Sequence, residues 1–297
     1  MGVAQEAALA AYKVGSRVAR LLPAPAASLA GRAVGLGLAG TDAGRRHMVE
    51  RHLQRIHGGT LSPLALRRAV QRAFDSYARY WVESFRLPEL SVEQLDAGMS
   101  YEGLEHLRAA RAAGAGAIMA LPHLGGWDFG GAWLATQGYP ITVVVEELEP
   151  AELFEWFAEF RRTLGMTVVP LGPQAGGAVL KALRANELVG LLCDRDIGGG
   201  GIPVEFFGEK TTLPAGPVTI AVRSGTPILP TAVYFDGRGH RGVIRPPLDL
   251  TRQGTLREDV ARLTQALARE LEVLISAAPE QWHVFQPNWP SDPGYGG

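Results

Sequence analysis

The chain has 297 residues, 46% of them apolar and 20% charged, which excludes a disordered protein and leaves room for a sizeable core. Its single cysteine, Cys193, excludes an intrachain disulfide. The net charge of -1 conceals an asymmetry: residues 1–90 hold 13 Lys/Arg against 6 Asp/Glu, a surplus of +7, so the remainder carries -8.

Residues 1–115 read as helical. Ala7–Leu22 is apolar on one face and basic on the other. Ala24–Gly40 is the most apolar stretch, but Arg32 breaks it short of the roughly 20 residues a membrane-spanning helix needs. Lys13, Arg17 and Arg20 lie between two apolar stretches rather than ahead of one, so no secretory signal is expected. Arg45–Arg55 (RRHMVERHLQR) is strongly basic and expected to be helical, with His47, His52 and His57 on its surface. Leu64–Phe85 carries Leu66, Val70, Phe74, Tyr77, Trp81 and Phe85 at helical spacing. Amphipathic basic helices of this kind can lie in the plane of a bilayer interface or can simply pack on the protein's own core.

From residue 116 short apolar runs alternate with helical stretches. Ala117–Pro122, Ile141–Glu146, Thr167–Leu171 and Leu188–Cys193 read as buried strands, with helices over Trp127–Gln137, Pro150–Leu164 and Gly176–Asn186 between them. Pro214–Arg223 is expected to be a helix, Ile228–Phe235 and Arg241–Ile244 further strands, and Leu256–Ala277 a long helix. The fold class is therefore α/β: a mostly parallel central sheet flanked by helices, with N-terminal amphipathic helices. One domain is expected over 1–297, its basic helical part over 1–115 and its α/β catalytic core over 116–297.

Ligands gather at the C-terminal ends of strands in open α/β sheets. Two of the expected strand ends carry polar chemistry: His123 follows the first, and Asp194-Arg195-Asp196 follows the fourth. On one continuous helix, positions five apart point about 140° away from each other, so His123 and Asp128 can cooperate only if the chain turns between them. Gly125-Gly126 permits that turn. A carboxylate beside an imidazole fixes its tautomer and stabilises the imidazolium, and both Asp128 and Asp194 are candidates for that place. The glycine run Gly198–Gly201 lacks the Lys-Ser/Thr of a P-loop and reads as a connector. No Gly-x-Ser-x-Gly element and no Ser or Cys beside His123 supports a covalent acyl-enzyme, and ligand spacing for a metal is lacking around His123.

His123-x-x-x-x-Asp128 at a strand end resembles the His-x4-Asp motif of the glycerolipid acyltransferase superfamily. PHxGxWD at Pro122–Asp128, the FxxFRxxLG segment at Phe157–Gly165, the DRD element, FFGE and the tail Trp282–Trp289 resemble one branch of it: the bacterial lipid A lauroyl/myristoyl acyltransferases and the actinobacterial phosphatidylinositol mannoside acyltransferases. The likeness spans nearly the whole chain beyond the first forty or so residues. It implies acyl-CoA, with palmitoyl-CoA the expected donor, a lipid acceptor at the cytoplasmic face of the cell membrane, no cofactor and no metal. Carried over by position, His123 matches the general base, Asp128 the motif acid, and Glu146 and Arg161 polar residues lining the site. Asp194 falls where the mannoside enzymes carry a glutamate that contacts the catalytic histidine, and Gly126 where an asparagine is common.

The expected reaction is direct acyl transfer to a mannose hydroxyl of phosphatidylinositol mannosides. Backbone amides around Gly125 and Gly126, at a helix start, are the expected oxyanion donors, Arg195 and Arg161 the contacts for phosphate or pantetheine, and Trp127, Phe129 and Trp133 the walls of an acyl groove. The expected partners are acyl-CoA, the glycolipid and an anionic membrane surface, with no nucleic acid. Rival readings are a lipid A-type acyltransferase, a thioesterase and a non-catalytic membrane lipid-binding protein.

Overall fold

The computed structural model describes residues 3–147 and 149–295. Four helices lead: α1 (Val3–Leu21), α2 (Ala24–Thr41), α3 (Ala43–Ile56) and α4 (Pro63–Arg86). Asp42 caps α3 by accepting from the Arg45 amide, and Ser62 caps α4 ahead of a proline in its first turn, where no amide proton is missed. A short α5 (Val92–Ala97), β1 (Met99–Glu102) and α6 (Leu104–Ala112) follow. The alternating part comprises β2 (Ala117–Leu121), α7 (Trp127–Thr136), β3 (Ile141–Val145), α8 (Ala151–Thr163), β4 (Met166–Pro170), α9 (Ala175–Arg184) and β5 (Leu188–Leu192). Then come the hairpin β6 (Ile202–Phe206) and β7 (Glu209–Leu213), α10 (Gly216–Ser224), β8 (Ile228–Asp236), β9 (Gly239–Ile244) and α11 (Leu256–Ser276).

The seven-stranded sheet has the order β1-β9-β8-β2-β5-β3-β4, parallel throughout except where β8 and β9 pair as an antiparallel hairpin. Continuous apolar strands such as Ala117–Leu121 are covered on both faces, as parallel strands require. Met119, Phe129, Trp133 and Met166 fill the layer beneath α7, while Val189, Val218, Leu267 and Leu271 fill the opposite layer.

Two departures from the sequence reading concern short polar strands. The stretch 1–115 is not wholly helical, since Met99–Glu102 adds β1 to the sheet edge beside β9. Ile202–Phe206 and Glu209–Leu213 form a separate two-stranded ribbon, which the FFGE residues close at its turn. Among the described residues no helix is long and apolar enough to cross a membrane.

Register places the site. Leu121 of β2 pairs with Leu192 of β5, and the Cys193 amide continues the ladder to the Leu121 carbonyl at 2.8 Å. His123 and Asp194 each lie two residues beyond these paired ends, so adjacent strands deliver them side by side.

Candidate active site

His123 Nδ1 donates to Asp194 Oδ1 at 2.7 Å, and the His123 amide donates to Asp194 Oδ2 at 2.7 Å. Asp194 is fully buried and the His123 side chain 22% exposed, so the pair has a closed back and an open front. With Nδ1 occupied by a carboxylate, the lone pair of the neutral ring resides on Nε2. Burial pushes the Asp194 carboxyl up. The charge and hydrogen bonds of His123 and the hydrogen bond from Trp282 more than offset this and hold it below the usual carboxylate range.

The C-terminal tail builds the back wall. Trp282 Nε1 donates to Asp194 Oδ2 at 2.6 Å, and Asn288 Nδ2 donates to the Asp194 carbonyl at 3.0 Å. The His283 amide donates to the His123 carbonyl at 2.7 Å, and the Gly125 amide to the Gln281 carbonyl at 2.9 Å, so the tail runs along the histidine loop like an added strand. Asp292 pins the end of the tail to α3 through Arg51, Arg55 and His52. His52 is therefore buried rather than superficial: its Nδ1 lies 3.0 Å from the Val284 carbonyl, its ring packs against Trp282 and Trp289, and burial lowers its pKa.

Asp128 does not meet His123. Its carboxylate accepts from Arg161 Nε at 2.8 Å and Nη2 at 3.2 Å and from the Tyr80 hydroxyl at 2.8 Å. The turn at Gly125-Gly126 does occur, but α7 directs Asp128 toward α4 and α8, and the orienting role falls to Asp194. Burial opposes the Arg161 charge, yet the adjacent Asp128 outweighs it and raises the guanidinium pKa; burial and the same carboxylate push the Tyr80 phenol well up. A buried, bidentate pair of this kind ties three helices together at the rim of the site.

The glycine amides are not oxyanion donors. Gly125 donates to the Gln281 carbonyl and Gly126 to the Val233 carbonyl at 2.9 Å, because the loop is stitched to the tail and to β8. Among the described residues the amides of Trp127, Asp128 and Phe129, at the start of α7, have no acceptor. Gly125 has φ 61, and a Cβ there would lie 2.1 Å from the Val233 carbonyl oxygen, so the turn requires glycine. At Gly126 a Cβ would lie 2.6 Å from His240 Cδ2, so His240 occupies the space a side chain would need.

A cavity of about 930 Å³ opens on His123. Trp127, Glu146, Arg161 and Arg195 lie on its wall, whereas Phe129 does not: it stacks on His240 at 3.9 Å in the core. The DRD acids part company, Asp194 joining His123 and Asp196 accepting from the Gly201 amide and the Thr212 hydroxyl. Arg195 has no ion pair among the described residues. Cys193 is buried, and burial with the adjacent Asp194 charge pushes its thiol up, which removes it as a nucleophile.

Tyr80, Trp282 and Asn288 are contributors that reading the residues missed. The tail around Trp282 stood out only within the stretches resembling the acyltransferase branch.

The family described as bacterial lipid A biosynthesis acyltransferase matches residues 3–291. A phosphatidylinositol mannoside acyltransferase of Mycobacterium tuberculosis is 43% identical over 227 residues, covering 74% of this chain and 70% of the relative. One from Mycolicibacterium smegmatis is 39% identical over 226 residues, covering 75% and 73%. A lipid A biosynthesis acyltransferase of Haemophilus influenzae is 28% identical over 198 residues, covering 65% and 59%. With a parallel sheet that sets His123 against a buried carboxylate beside a large cavity, and with a match over nearly its full length, this chain belongs to the bacterial lipid A biosynthesis acyltransferase family.

Proposed function

We propose that the protein transfers a fatty acyl group from acyl-CoA to a mannose hydroxyl of a phosphatidylinositol mannoside at the cytoplasmic membrane face. The observation that carries the reading is the His123–Asp194 pair, with Nδ1 held by the carboxylate and His123 on the wall of the 930 Å³ cavity. His123 Nε2 takes the proton of the acceptor hydroxyl as its oxygen bonds to the thioester carbonyl carbon. The C–S bond then breaks, and the imidazolium returns the proton to the departing thiolate. Asp194 holds the tautomer and balances the transient charge. The first-turn amides of α7, which follow directly on Gly125-Gly126, are the candidate donors to the oxyanion. Arg195 suits a CoA phosphate, Arg161 being committed to Asp128.

The mannoside acceptor follows the names of the mycobacterial relatives, at 39–43% identity against 28% for the lipid A relative. Membrane attachment is supported by α1 and α2, which expose Val14, Val18, Leu21, Leu29, Val34 and Leu36 beside the basic residues Lys13, Arg17 and Arg32. The test is CoA release from palmitoyl-CoA with phosphatidylinositol mannosides, lipid A precursor or no acceptor. Mannoside-dependent release that falls about 10²-fold or more in His123→Ala is expected. Unchanged turnover in the variant would end the assignment, and acceptor-independent release would point to a thioesterase.

A further inference from the structure

A row of paired residues leads from the histidine loop to the edge of the sheet. Gly125 bridges to Val233 on β8, Val233 pairs with Gly242 on β9, and Gly242 pairs with Tyr101 on β1. At about 4.8 Å per strand, the row covers roughly 14 Å. Val233, Gly242 and Tyr101 all line the cavity, so their shared face is the floor of a slot beneath α7. At its next-to-last position Gly242 has no side chain of its own and Met99 covers it: a Cβ on Gly242 would lie 2.7 Å from Met99 Cε.

The row ends in an aromatic pair. Tyr101 packs on Trp133 of α7 with ring centroids 5.1 Å apart, and Trp133 is fixed from behind by donating Nε1 to Asp96 Oδ1 at 3.0 Å. Trp133 is buried, whereas Tyr101 is 45% exposed on the edge strand, so one ring separates the slot from solvent. We propose that Tyr101, backed by Trp133, is the end stop of the acyl slot and sets the longest chain the protein accepts. The proposal rests on the acyl-transfer reading above. A straight alkyl chain that enters beside His123 gains burial at each methylene until it meets the tyrosine ring, and longer chains must buckle or back out toward the mouth.

The experiment is equilibrium binding of non-hydrolysable thioether analogues of acyl-CoA, from hexanoyl to arachidoyl length, to the purified full chain. Each buried methylene tightens binding about four-fold, equivalent to roughly 0.8 kcal/mol, up to the stop and not beyond it. Tyr101→Ala should move that break to longer chains. Gly242→Ala should move it to shorter ones, because the new methyl pushes Met99, which already covers that position, further into the slot. A break at the same length in wild type and both variants, or affinity that climbs through arachidoyl in the wild type, would overturn the proposal. Binding needs no turnover, so loss of the catalytic assignment of His123 would leave this ladder intact, and a failed ladder would leave the His123 result intact.

Discussion

Asp194→Asn isolates the contribution of one charge, since the amide has nearly the shape of the carboxylate. In the native site Oδ2 receives two N–H donors, from the His123 amide and Trp282 Nε1, and Oδ1 receives one, from His123 Nδ1. An asparagine has a single oxygen, which settles where two donors point. Its Nδ2 then faces His123 Nδ1 and must donate to it. The imidazole responds by carrying its proton on Nε2, the atom that in the proposed transfer accepts the proton of the alcohol. General-base catalysis contributes about 10²–10⁴-fold, so a fall in kcat of about 10³-fold is expected, or roughly 4 kcal/mol of barrier. The KM for acyl-CoA should change little, because the cavity wall is untouched. The assay is CoA release at saturating donor and acceptor, with circular dichroism confirming the fold. Turnover within about ten-fold of wild type would refute the assignment of Asp194 as the group that sets the tautomer.

Two further outcomes follow from the same packing. His283 is buried against the aromatic wall, and burial, with the His123 charge second, pushes it down to about 3 from an ordinary 6.5. The folded ring thus stays neutral where the unfolded one binds a proton, so stability is intact above pH 6.5 and falls as pH drops toward 3, by about 5 kcal/mol at most. Urea unfolding of wild type and His283→Asn between these pH values should show a shallower loss in the variant, and equal slopes would contradict it. Gly126→Ala should cost about 1–3 kcal/mol by overpacking against His240, and His240→Ala should relieve most of that cost in the double variant. Additive losses would show that the clash is not there.

The buried strands were legible because apolar runs such as Ala117–Leu121 and Leu188–Leu192 have few other uses, and His123 and Asp194 stood out as polar residues at their ends. Strand order was not legible. That β2 lies beside β5 rather than β3 is a pairing of segments some seventy residues apart, and it places Asp194, not Asp128, against the imidazole. Local spacing left both acids open. The tail was beyond the same reasoning: Trp282 reaches Asp194 across 88 positions of sequence, and no periodic pattern announces such a contact. The same tail explains why His52 is buried and why the amide of Gly125 is spent. β1 escaped notice because Met99–Glu102 is short and largely exposed, which suits an edge strand.

The account depends on a thioester reaching His123 Nε2 from the cavity. A structure with a bound thioether analogue of palmitoyl-CoA tests this directly. The carbon standing for the thioester carbonyl should lie within about 5 Å of Nε2, leaving room for one hydroxyl oxygen between them, with the alkyl chain running beneath α7 toward Tyr101. An analogue seated with that carbon beside Asp128 and Arg161, and the His123 ring facing only protein, would contradict it.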